Sequence, residues 1–501
     1  MTIQMLKIMA RALRRIGGRA ARVAVGVTLL LTVGGACHLL EVNTPDVVPS
    51  DNLNDPLALP TIRAGAIGDF GIAYTGSGAQ GSGGTTEGQV LASGLLADEW
   101  INTETFPDRV QADARQVDRA SGTWTTVYRN LARAHLSALK AADRFHQLAD
   151  STLNSGRAEM LALAAYTRLM FAENYCSGVP LSYPNPDGSV SFGDQLTTSQ
   201  MLDSALFLFN QSLAAAQFLA SATTKATMIG LATVGKARTL LDMGRLVDAD
   251  TVASTVSVPT TFAYVVQHDL NTTRQQNGVF SGIRKFKRYG VADVEGGVGF
   301  PWRSTLDPRT PFTRVPATNR GFDAATPQFD QLRYTDEKAS ITLASGLEAR
   351  LINAEASLRL RADTAGFLAT LNGLRANPPT YILAGAQGTG TPSDVARPIP
   401  AQPLPGSMAN LTSPADPTAA INMLFSERAR WLWGTGHRLN DLRRLERAVG
   451  VRGGYGRPDA QVFPTGLYFK NGLTYGTDVN FPIPLDEQNN PNFQQCLDRL
   501  P

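Results

Sequence analysis

Ile421-Asn-Met-Leu-Phe-Ser-Glu-Arg-Ala-Arg-Trp-Leu-Trp-Gly-Thr-Gly-His-Arg-Leu-Asn-Asp-Leu-Arg-Arg-Leu445 is the stretch from which the rest of this chain can be read. At 100° per residue, Ile421, Leu424, Phe425, Ala429 and Leu432 form one apolar helix face. Gly434 and Gly436 break that pattern, and a second helix follows with Leu439, Leu442, Leu445 and Val449 inward. Arg428 and Arg438 fall on the apolar sides. A buried guanidinium without a partner costs several kcal/mol, so both need carboxylates or carbonyls. Glu427 and Asp441 are the nearest carboxylates, and the four residues are expected to form structural ion pairs locking the hairpin.

The literal string carries more than its periodicity. Ser426-Glu-Arg through Arg444, followed by Asn480-Phe-Pro-Ile-Pro484 and Asn490-Pro-Asn492, resembles the closing signature of the SusD/RagB-like family of nutrient-binding outer-membrane lipoproteins. Members read close to E-R-x-x-E-L-x-x-E-G-x-R-x-x-D-L-x-R and then F-P-I-P. Trp431 and Thr435 depart from that pattern, while the order and spacing of the rest are kept. Ile341 to Leu360 and Cys37 to Asn52 resemble two further segments of the family, as does Asp307-Pro-Arg309 after Trp302. The resemblance implies a non-catalytic lid over a TonB-dependent outer-membrane transporter, capturing oligosaccharides or peptides at the cell surface.

Charge is nearly balanced, at +3 with 18% charged residues, which argues against a dedicated nucleic-acid binder. All six basic residues of segment 1–36 stand there without an acid, leaving 40 Lys and Arg against 43 acids in the remainder. That segment reads as a signal peptide, with an apolar run from Val23 to Val33 too short to span a bilayer. Gly34-Gly-Ala36 before Cys37 resembles the lipobox of bacterial lipoproteins, with Gly34 where Leu is usual. Cys37 is therefore the expected lipidation site, and ordinary cleavage after Ala36 is the alternative. With Cys37 carrying lipid, an exported chain retains only Cys176 and Cys496, and these are expected to pair.

Residues 37–55 suit an extended tether. Asp55-Pro56 opens a helix to about Tyr74, and another is expected over Gln89–Trp100. Gly76-Ser-Gly-Ala-Gln-Gly81 fits G-x-G-x-x-G, but it follows a helix and no Gly-Lys-Ser/Thr accompanies it, so it reads as a loop. Helical pattern continues over 121–149, 157–175, 199–219 and 223–243 within a 56–256 unit, with His135 on a buried face. It returns at 345–361 and 364–375 within 342–376, and again in 417–501. The expected fold is mainly α, a tetratricopeptide-like scaffold of about four helix pairs. Segments 257–341 and 377–416 lack helical period and are rich in Pro, Gly, Thr and aromatics. The first is expected to be an irregular, loop-rich ligand-binding subdomain, and the second a loop insertion.

No H-E-x-x-H, G-x-S-x-G or phosphate loop occurs, the five histidines are scattered, and no cofactor or metal site is expected. Trp100 and Asn102 stand where starch-binding family members carry part of their sugar site. Trp302 and Tyr334, on the irregular segment, are the candidates for an opposing wall, since aromatic planes stack on sugar rings. Two other functions stay open: a lipid-anchored protein-interaction scaffold without a nutrient ligand, and a surface polysaccharide hydrolase.

Overall fold

A computed structural model of the chain describes residues 55–80, 86–148, 155–185, 187–313, 320–382 and 408–501. The expected signal peptide, Cys37, nearly all of the tether and most of the 377–416 insertion lie outside the described residues.

The fold is mainly helical. After a short turn capped by Asp55, α1 (Leu59–Thr75) and α2 (Gln89–Leu96) lead to β1 (Trp100–Asn102) and α3 (Pro107–Asp113). α4 (Gly122–Leu148) packs on both α1 and α5 (Ser155–Asn174). α6 (Thr198–Ala216) and α7 (Ala222–Asp242) extend the stack, and α8 (Leu246–Val252) closes its end. Two-stranded pieces follow: β1 pairs antiparallel with β3 (Tyr289–Val291), and β2 (Ala263–Val266) with β4 (Ile341–Ser345). α9 (Gly346–Leu360) and α10 (Thr364–Ala376) form another pair, and α11 (Pro417–Trp431) and α12 (Arg438–Glu446) complete the scaffold. These are the expected tetratricopeptide-like helix pairs carrying a loop-rich body. Among the described residues no helix is long and apolar enough to cross a membrane.

The starts of these helices follow from local chemistry. Thr197 and Gln200 make a reciprocal capping box before α6, and Ser221, Ser345, Asp363 and Asp416 cap α7, α9, α10 and α11. Each cap satisfies an amide that the first helical turn leaves without a partner. His135 sits inside α4 with Nδ1 2.9 Å from Thr167 Oγ1, and burial pushes its imidazole down to about 3. It is a neutral core histidine.

Several expectations need correction. α2 ends at Leu96, short of Trp100, because Trp100–Asn102 is drawn into a ladder with Tyr289–Val291. Val449 is 77% exposed, because α12 ends at Glu446 and the chain turns away before reaching it. The last two helices also separate: α11 packs on α9, whereas α12 packs on α2 and α5. Gly434 and Gly436, at φ +68° and +76°, supply the left-handed backbone that redirects the chain between them.

Charged side chains span the gap between α11 and α12. Arg428 donates from Nε to both oxygens of Asp441, at 3.0 and 2.9 Å. Arg444 lies 3.4 Å from Asp441 and also pairs with Glu355 of α9. The expected partners of Arg438 and Glu427 are replaced. Arg438 makes two 2.7 Å bonds to Asp98, and Glu427 takes Arg309 at 2.7 Å and Arg375 at 2.9 Å. Sequence proximity misleads here because the facing element, not the chain neighbour, sits opposite a buried side chain. Nearby, Arg238 of α7 donates to Glu348 of α9 at 2.6 Å. Burial acts to raise the Glu348 carboxyl, yet Arg238 and His437 outweigh it and hold the group down at about 2.

The C-terminal tail is stitched to the end of α5. Cys176 and Cys496 form a disulfide across 320 residues, as expected. Backbone bonds from Phe481 N to Asn174 O and from Cys176 N to Phe481 O run beside it, at 2.8 and 2.9 Å.

Candidate functional site: an aromatic-rimmed polar face

The four residues expected to touch ligand are interior. Trp100 and Trp302 are 1% and 0% exposed, and both pack on Trp433 with ring centroids 5.4 and 6.2 Å away. Tyr334 is buried and donates to Gly434 O at 2.9 Å. Asn102 is also buried, accepting from Glu104 N at 3.0 Å and Lys470 Nζ at 3.1 Å. In this arrangement none of them offers a ring face or amide to solvent. The physical reason is that an irregular segment has no periodic apolar stripe. Its largest aromatics must serve as its core, each burying 150–250 Å² as a rule. Trp431 and Trp433 join the same interior.

β1 nevertheless points to a surface site, one step farther along the chain. Thr103 N donates to Arg288 O at 2.9 Å, and Thr103 Oγ1 to Lys287 O at 2.8 Å, which continues the pairing past β1 and β3. Asp323 N donates to Thr103 O at 3.0 Å from the other side. Gly321 is required at this crossing: a Cβ there would stand 2.4 Å from Thr103 O. Segments 103–109, 286–288, 321–323 and 469–470 are thereby gathered on one face.

A polar network fills the middle of that face. Arg109 donates to Glu104 Oε1 at 2.8 Å and to Glu87 Oε1 at 2.7 Å, and Tyr289 also donates to Glu87. Arg288 lies 3.5 Å from the second Glu104 oxygen. Lys470 pairs with Asp323 at 2.6 Å and donates to Glu104 O at 3.1 Å. Burial pushes the Glu104 carboxyl up despite the pull of Arg109 and Arg288. Burial also acts to raise Asp323, but the bonds from Lys470 and Thr326 prevail and bring it down to about 2. Beneath the network, Asp113 accepts from Asn102 N and Tyr468 Oη at 2.6 and 2.7 Å, with burial lifting it to about 7.

Phenylalanines rim the network. Phe106, Phe322 and Phe469 are 50%, 55% and 47% exposed, and Phe286 is half-buried. Arg288 stands 5.5 Å from the Phe286 ring centre and 5.9 Å from that of Phe322. Arg109 covers Phe106 at 5.6 Å, and Lys470 covers Phe469 at 5.5 Å. Such contacts hold exposed rings in place without burying them. The result is a set of apolar planes beside fixed donors and acceptors, a layout suited to recognising sugar rings and their hydroxyls.

The sequence reading missed these rings. A usable signal was present: Phe286-Lys-Arg288, Phe322-Asp323 and Phe469-Lys470 each set a ring beside a charge outside any helical pattern. The same pairing occurs at Trp302-Arg303 and Arg333-Tyr334, whose rings are buried, so it marks candidates without separating surface from core. Among the described residues no group of three or more His, Cys, Asp or Glu could hold a metal ion.

No family model and no curated protein matches the chain. Solved structures do. A SusD superfamily protein from Bacteroides thetaiotaomicron VPI-5482 aligns with a TM-score of 0.58 at 15% identity, covering 88% of this chain and 100% of its own. A SusD/RagB family protein from the same organism gives 0.54 at 13%, over 85% and 93%. A laminarin-binding SusD-like protein gives 0.55 at 13%, over 88% and 99%. The resemblance read from Glu427 to Arg444 therefore extends to three dimensions, and the fold of this chain is SusD-like.

Proposed function

We propose that this chain is a carbohydrate-binding protein of nutrient uptake, taking oligosaccharide on the face rimmed by Phe106, Phe286, Phe322 and Phe469. The observation that carries the proposal is the placement of these rings around the Glu104–Arg109–Arg288–Lys470 network. Three of the four are about half exposed in a protein whose five tryptophans are all buried. A laminarin-binding neighbour of the same fold supports the ligand class. Lipidation at Cys37 would anchor the protein at the outer-membrane surface, where it would hand ligand to a TonB-dependent transporter.

Calorimetric titration of an oligosaccharide panel, laminarin oligosaccharides included, tests the ligand. Phe322→Ala and Phe469→Ala are each expected to weaken binding several-fold, since a ring contact contributes about 0.5–1.5 kcal/mol beyond its buried area. Binding that neither substitution alters would place the sugar elsewhere. A panel without any binder would remove the carbohydrate reading. Co-purification of a large β-barrel protein with the lipidated chain, lost in Cys37→Ser, checks the anchored partnership.

A further inference from the structure

On the helical scaffold, away from the aromatic face, α8, α9 and α10 enclose an open groove of about 1020 Å³. Its base is formed by Arg350, which is 7% exposed. One guanidinium nitrogen donates to the Ala253 and Val258 carbonyls. Its Nε has no partner among the described residues. The nearby carboxylate, Asp250, is already taken by Arg361 and by Asn353, each at 2.6 Å. Two guanidiniums thus face one carboxylate, and burial pushes Arg350 below its usual value with only Asp250 opposing. A buried cation with an unmet donor is costly to keep, and an incoming anion would relieve it.

The walls narrow the choice of anion. Hydroxyls of Thr251, Ser254, Thr260 and Thr370 line the groove, and among the described residues no aromatic ring does. Sugar rings would lack a stacking plane here, whereas the amides of an extended peptide would find hydroxyl oxygens to accept from them, since Thr251 and Thr370 already donate their own protons to helix carbonyls. We infer that this groove binds a short extended peptide segment whose acidic side chain seats its carboxylate on Arg350. This site is separate from the proposed sugar face and does not depend on it.

The test uses two pools of acetylated, amidated pentapeptides with random flanks, carrying Glu or Gln at the centre, titrated against the chain by fluorescence anisotropy. Glu peptides are expected to bind at least tenfold more tightly than their Gln counterparts. Arg350→Gln should reduce Glu-peptide affinity at least tenfold. Because Arg350 also holds the 253–258 backbone, Gly373→Leu provides the second variant. Gly373 lines the groove in mid-α10, and a Cβ added there meets nothing within 4 Å. Gly373→Leu should keep the melting temperature, since Leu favours helix over Gly, while abolishing peptide binding. Equal affinity for the two pools, binding retained in Gly373→Leu, or no peptide binding at all would each overturn the inference. Binding of tri-galacturonate in place of peptide, competed by neither pool, would overturn it as well.

Discussion

Two regions of this molecule use the same three ingredients, guanidiniums, carboxylates and aromatic rings, to opposite ends. Around α11 and α12 the ingredients are sealed: Arg444, Glu355 and Trp431 are fully buried, and Arg428 and Asp441 are nearly so. Around Glu104 they are open on one side, with Phe322 and Phe469 in water and Lys470 close to the surface. The difference lies in what faces each charge. Arg428, Arg438 and Arg444 meet carboxylates from three other elements, so their charges are used up inside the protein. Arg288 and Lys470 divide theirs between nearby carboxylates and exposed rings. Residue type alone therefore does not separate a sealed lock from a face with exposed rings. Solvent access does.

The sharpest way to break that contrast is Asp441→Ala. It strands the buried Arg428 guanidinium, while Arg444 keeps Glu355, and should cost about 3–5 kcal/mol in urea unfolding. Pairing Asp441→Leu with Arg428→Met should recover much of the loss. A single variant as stable as the parent would mean that the network is not a lock.

Reduction of Cys176–Cys496 comes next. It releases the tail carrying Phe481 from α5 and should cost about 2–5 kcal/mol, read as a lower melting temperature in dithiothreitol. An unchanged melt would show that the backbone bonds alone hold the tail.

A third effect appears with pH. Burial pushes the Glu99 carboxyl up to about 8 against the bond it accepts from Gly434 N. The folded state therefore prefers neutral Glu99. Its stabilisation is complete below the ordinary carboxylate range and is lost as pH rises toward 8. Glu99→Gln should flatten the decline in stability between about pH 5 and pH 8. An identical pH profile in the variant would show that Glu99 is charged in the fold.

The smallest effect on stability belongs to the open face. Phe322→Ala should shift unfolding by less than about 0.5 kcal/mol while weakening sugar binding as described above. A large stability loss would place Phe322 with the locked region, and the contrast between the two regions would fail.

The helical scaffold and the presence of buried charge were legible in the sequence. Helical period and an arginine on an apolar face are local statements, and α4 to α7 lie close to where the period put them. The sequence also carried the order of the Glu427–Arg444 signature, and the fold that this resemblance implied is the one observed. Tertiary structure alone decided the partners: Asp98 reaches Arg438 across 340 residues, and Arg309 and Arg375 reach Glu427 across 118 and 52. It alone decided which aromatics are core. Trp100 and Trp302 look like ligand planes on irregular segments, yet they close the interior that those segments cannot otherwise build. The physical reason is that burial is a property of what packs opposite a side chain. Where no period marks the inward face, only the assembled chain determines it.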